Sequence, residues 1–242
     1  MFSTKRPKLG TSMEDGWMYY HIQELSSYLI DEYFRVGIYK RLLNDSRMNR
    51  NGRDVHDFKK RMQSENFHSI YAHSFIGQWS AFESGLDNNI AAILKNDEEA
   101  SRNALRVFRK PKYSIEQWPW DSDSRIHLAQ MLGRCAKSKP ENTSSQSQVL
   151  INLYSFLGVS LVLDENHSLK LDEANRVRNI LLHRSGEVMP KDAQDFPTLK
   201  VFEGGLYRMT DPVFNDYHSA IVHFLTSLIR AISERGFNDL AS

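Results

Sequence analysis

Cysteine is almost missing from this chain: Cys135 is the only one in 242 residues. A lone thiol closes no internal disulfide, so the fold must be held by its apolar core, and the composition fits a reducing, cytoplasmic setting. Long apolar runs are missing too. None approaches the roughly 18 residues of a membrane span, so no membrane partner is expected. The first residues also lack the apolar stretch of a secretory signal. There is no excess of one charge: Lys+Arg 31 stand against Asp+Glu 30, for a formal net charge of +1. No global field therefore marks a nucleic-acid binder, and any such activity must rest on a local patch. Glycine-rich phosphate loops of the Walker or dinucleotide type are absent, as is a His-Glu-x-x-His zinc helix. The nine histidines do not space as ligand pairs. His68 and His73, like His218 and His223, are five apart and fall on different helix faces. No metal and no other cofactor is expected, and Cys135 has no visible partner for nucleophilic catalysis.

What is present is helical periodicity. Met18, Ile22, Leu25 and Leu29 predict a helix from about Glu14 to Asn44, and Asn51-Gly52 marks a turn. A second pattern runs from Asp54 to about Lys95, with the stripe Phe75, Trp79, Phe82, Leu86, Ile90 and Leu94. Forty continuous helical residues would span on the order of 60 Å, too long for a compact domain, so a break is expected around Ser64 to Ser69. Shorter helices are predicted over about Glu98 to Arg109, closed by Pro111, and over Ser124 to Ala136, Val149 to Leu161 and Leu169 to Ser185. Trp118-Pro119-Trp120 is a rigid aromatic corner whose rings are expected to pack rather than stack on a ligand. Lys137 to Ser147 is rich in Ser, Asn, Lys and Pro and reads as an exposed loop.

Thr198 to Phe202 and Leu206 to Thr210 are strand-like runs around Glu203-Gly204-Gly205, which predicts a small β-hairpin. The last helix is expected from about Pro212 to Arg235, with the stripe Phe214, Tyr217, Ile221, Phe224, Leu228 and Ile232. The fold class is therefore all-α, a helical bundle with one small β-hairpin before the C-terminal helix. Residues 1–13, with the basic cluster Lys5-Arg6-Pro7-Lys8, read as a mobile tail. Residues 14–65 read as an N-terminal helical extension packed on a core domain of residues 66–242.

Chemistry concentrates at Arg178-Asn179-Ile180-Leu181-Leu182-His183. Leu171, Ala174, Val177 and Leu181 recur at helical spacing, and Arg178 lies along or beside that stripe. A permanent cation there is costly to bury unless paired or put to use. Asn179 and His183 are four apart and share a face with Asn175 and Arg176. Gly186 suits the left-handed residue past a helix end, which leaves His183 at the negative end of the helix dipole, where a cation is favoured. Glu83, flanking Trp79 and Phe82, is either an ordinary boundary charge or the carboxylate that orients Arg178.

Arg178-Asn179-x-x-x-His183 resembles the Arg-x(4–6)-His signature of the HEPN superfamily of helical nucleic-acid-associated domains. The resemblance covers roughly Asn66 to Ile232. It includes an early core helix with an acidic residue among aromatics (Ser74 to Asp87), a glycine soon after the histidine, a hairpin-like segment and an amphipathic last helix. It implies a HEPN-like bundle and a metal-independent endoribonuclease acting as a homodimer, whose motif helices meet in a composite site. In that reading His183 is the acid/base for attack by the ribose 2′-hydroxyl, Arg178 binds the scissile phosphate, and Asn179 positions these groups. Arg176 and Arg184 are expected either to hold flanking phosphates or to be solvated surface charges. RNA is the expected partner, with an antitoxin or other regulatory protein if the enzyme serves as a toxin or defence effector. Family members without nuclease activity imply the alternative, a non-catalytic scaffold or adaptor that binds a protein partner or nucleotide.

Overall fold

The computed structural model describes residues 31, 33–41, 53–139, 145–201 and 205–235. The expected stripe from Met18 to Leu29, the Asn51-Gly52 turn and the basic tail lie outside them. Nine helices are distinguished among the described residues. They are α1 (33–41), α2 (Arg53–Ser64), α3 (His68–Asn96), α4 (Glu98–Arg106), α5 (Ser122–Lys137), α6 (Gln146–Ser155), α7 (Glu165–His183), α8 (Pro190–Asp195) and α9 (Asp211–Glu234). None of them is long and apolar enough to cross a membrane.

The starts of these helices follow from short polar side chains that satisfy otherwise orphaned backbone N–H groups. Asp97 accepts from the Ala100 N–H, Asp121 from Ser124, Ser145 from Gln148 and Asp164 from His167. The break expected near Ser64 is present. Asn66 and Phe67 take positive φ values of 51° and 60°, and the Phe67 N–H donates to the Met62 carbonyl at 2.7 Å. Two consecutive left-handed residues interrupt the right-handed helical path, so α2 and α3 are separate helices rather than one rod.

Helix α3 is the spine. Phe75, Trp79, Phe82, Leu86 and Ile90 are buried along it as the stripe predicts, and it packs on α5, α9 and α7, while α7 packs on α9 and α6. Aromatic edges lock the centre: Phe82 meets Trp79 at 5.6 Å and Phe224 of α9 at 5.3 Å between ring centroids. The tryptophan corner packs as expected. Trp120 is buried, and its indole N–H and that of Trp118 donate to the carbonyls of Ser114 and Leu94. Helix α1 joins the core through the buried Val36 and through Tyr33, whose ring stacks on His218 at 4.6 Å.

Three expectations are corrected. The helix predicted to reach Arg109 ends at Arg106. The one predicted to Leu161 ends at Ser155, where Gly158 turns the chain with φ 74°. Val159 and Leu161 then bury alternate side chains from non-helical backbone. The hairpin is the third. Its first run is a 3-10 helix, Pro197–Val201, started by a proline whose fixed φ suits a helical first turn and anchored by the buried Leu199. The second run turns elsewhere. Leu206 forms an isolated antiparallel bridge with Glu187, and no extended strand forms among the described residues. Apolar content alone predicted strands at 198–202; pairing with the turn after α7 decided otherwise.

Candidate functional site

The candidate site is the C-terminal half of α7. Leu171, Ala174, Val177 and Ile180 are buried, so Arg178 lies beside the stripe, at its edge. Its guanidinium is held on two sides. Nη2 donates to Glu83 Oε2 of α3 at 3.1 Å, and Nη1 donates to Asn179 Oδ1 at 3.0 Å. Glu83 is thus paired with Arg178, the contact that its reading as the orienting carboxylate requires. The pair is not sealed from water: the Arg178 side chain is 24% exposed and that of Glu83 36%. Arg178 Nε is buried with no hydrogen-bond partner among the described residues.

His183 is the last residue of α7 and is exposed. The helix stops there because the chain turns left-handed, with Ser185 at φ 49° and Gly186 at φ 89°, the second as expected for a glycine past a helix end. The N–H groups of Arg184 and Gly186 both return to the Ile180 carbonyl at 3.1 Å. Five residues at about 100° each set Arg178 and His183 roughly 140° apart around α7. Within one chain, the imidazole and its own guanidinium thus leave the helix in diverging directions.

Arg176 and Arg184, expected either as phosphate holders or as solvated charges, have a partner the sequence reading missed. Both bind Asp192, a fully buried carboxylate on α8: Arg176 Nε lies 2.5 Å from Oδ1 and Arg184 Nη1 donates to Oδ2 at 2.7 Å. The Met189 N–H also donates to Oδ2, at 2.8 Å. Burial opposes the ionisation of Asp192. The Arg184 and Met189 hydrogen bonds and the two arginine charges outweigh it, holding this carboxyl below the usual range. The reading of the two arginines as solvated surface charges is thus corrected: they brace the turn that follows His183. Pro190 and Asp192 at the first and third positions of a helix start were the available signal. Next to Glu83, burial and the Glu83 charge push Asp87 up, opposed by Lys137.

Among the described residues, one cluster of metal-ligating side chains forms, at the other end of α7. Asp164, His167 and His223 bring one ligand atom each within 4.8 Å of the others. The expectation that the histidines form no ligand pairs is corrected in this respect. His223 does diverge from His218, but it meets His167 across the α7–α9 interface.

The fold and site define an all-helical protein that presents an arginine, an amide and an imidazole at one helix end. No family model matches this chain, no curated protein matches its sequence, and no solved structure matches its fold.

Proposed function

We propose that this protein is a HEPN-type, metal-independent endoribonuclease that works as a homodimer. The observation that carries the reading is Arg178, fixed between Glu83 and Asn179 yet still reached by solvent, on the same helix end as the exposed His183. A guanidinium held in place before substrate arrives costs no reorganisation when phosphate charge develops. His183 takes the proton of the ribose 2′-hydroxyl as that oxygen attacks phosphorus. The departing 5′-oxygen takes its proton from a protonated His183 imidazole of the two-copy site, so the products are a 2′,3′-cyclic phosphate and a 5′-hydroxyl. The divergence of Arg178 and His183 around α7 favours a site completed by a second copy, with two motif helices facing one RNA phosphate. DNA lacks the attacking hydroxyl and is not cleaved. Such an enzyme serves as a toxin or defence effector, restrained by an antitoxin or other regulatory protein.

A second reading, the non-catalytic scaffold or adaptor that binds a protein partner or nucleotide, is favoured by the charge pairing. Glu83 and Asp192 leave only one of three guanidinium charges uncompensated around the motif. RNA cleavage in EDTA separates the two. The nuclease reading expects cyclic-phosphate ends, loss of cleavage in His183→Ala and a dimer that persists in that variant. Cleavage that survives His183→Ala overturns the assignment, and a stable heteromeric complex without turnover supports the adaptor.

A further inference from the structure

The N-terminal end of α7 carries chemistry unconnected with the motif. Asp164 caps the helix: Oδ1 accepts the His167 N–H at 3.1 Å, which fixes the carboxylate and leaves Oδ2 turned to two imidazoles. Oδ2 lies 2.7 Å from His167 Nδ1 and 2.9 Å from His223 Nε2. The rings stack, 3.7 Å between centroids and 7° from parallel. The three side chains come from two helices that pack in the core, so their backbone positions are set by folding rather than by a ligand. All three remain reachable, with 48%, 29% and 37% of the side chain exposed for Asp164, His167 and His223.

We propose that Asp164, His167 and His223 form a binding site for a zinc-class divalent cation that clips the start of α7 to the middle of α9. One carboxylate oxygen hydrogen-bonds His167 Nδ1 and lies at ion-pair distance from His223 Nε2, so the two ring nitrogens already gather about one acceptor where a metal ion would sit. Two imidazole nitrogens with one carboxylate suit Zn²⁺ and its neighbours, whereas Mg²⁺ and Ca²⁺ demand oxygen donors. Zinc bonds of about 2.0–2.2 Å put tetrahedral ligand atoms roughly 3.3 Å apart. The short contacts therefore open slightly, and the widest separation closes by at most about 1.5 Å. Parallel rings share no plane, so one imidazole must also rotate to aim its lone pair at the ion; its partial exposure gives it room. Three protein ligands leave a fourth position for water. Helix rise places Asp164 about 20 Å from Arg178, so this ion takes no part in the proposed RNA chemistry and the EDTA assay is independent of it.

The test is Zn²⁺ binding to the full chain by titration calorimetry and metal analysis after dialysis, with Mg²⁺ as control and Co²⁺ as a visible-absorption probe. The expected result is one Zn²⁺ per chain, no Mg²⁺, and a tetrahedral Co²⁺ spectrum that Zn²⁺ bleaches. At roughly 100-fold excess over its dissociation constant, Zn²⁺ should raise Tm by about 5–10 °C. His167→Gln and His223→Gln should each weaken binding at least about 10-fold. Asp164→Asn should weaken it while keeping the helix cap, because asparagine caps as well as aspartate. Circular dichroism confirms that each variant is folded. Absence of stoichiometric binding to the wild-type chain overturns the proposal, as does binding that the two histidine substitutions leave unchanged.

Discussion

Replacing Asp192 with alanine strands two arginines at once. Removing one partner of a buried ion pair costs about 3–5 kcal/mol, mostly because the opposite charge is left without compensation. Here the Arg176 and Arg184 side chains keep 34% and 26% of their surface in solvent. Water screens what is left behind, so a loss of about 2–3 kcal/mol is expected. For a chain of this size that corresponds to a fall in Tm of roughly 4–12 °C. Asp192→Asn keeps an acceptor for the Met189 N–H but not the charge, and should lose less than alanine does. Acid pH adds a second check. The folded-state pKa of Asp192 is lowered, so the unfolded chain binds the extra proton and stability rises with pH. The contribution is fully present above the unfolded value near 3.9 and is lost as pH falls through the folded one. The assay is urea unfolding of wild type and Asp192→Ala from pH 7 to pH 3. The gap between them should be widest at pH 7 and narrow below pH 4. A variant within about 0.5 kcal/mol of wild type at pH 7, or a gap that widens as pH falls, refutes the bracing role.

Phe82→Ala empties a fully buried site between Trp79 and Phe224 and should cost about 3–5 kcal/mol in urea unfolding; a loss under 1 kcal/mol would mean the centre repacks freely. Burial lowers the folded-state pKa of both His68 and His218, so the stability each gives is full above about pH 6.5 and is lost as pH falls through the folded values. The His68→Gln, His218→Gln double variant should therefore flatten the stability profile between pH 7 and pH 5, and an unchanged slope contradicts this. Glu83→Gln should shift global stability by less than about 1 kcal/mol, because the pair it breaks is partly solvated. On the nuclease reading it should nevertheless reduce RNA cleavage by freeing Arg178, and an unaltered cleavage rate argues that Glu83 does not position the arginine.

Local pattern was enough for most of the helices. The stripe from Phe75 to Leu94 and the one from Phe214 to Ile232 each bury the face they mark, because one apolar face per turn has a single way to reach a core. The break before His68 followed from length alone. Where the sequence misled, the signal was apolar content without a partner. Residues 198–201 have strand-like composition but fold as a 3-10 turn, since a strand exists only by pairing and Leu206 pairs with Glu187 instead.

The sequence by itself determined the all-helical architecture and singled out Arg178, because a fixed cation beside an apolar stripe is costly unless something holds it. It even offered Glu83 as the holder. Only the tertiary structure decided that the pairing is made, that Arg176 and Arg184 converge on one buried carboxylate, and that His167 and His223 stack over Asp164. Periodicity reports which face of a helix is buried, whereas charges and ligands meet across helices far apart in the chain. Those meetings depend on which helices pack together and at what offset, and the core settles that before any polar group finds its partner.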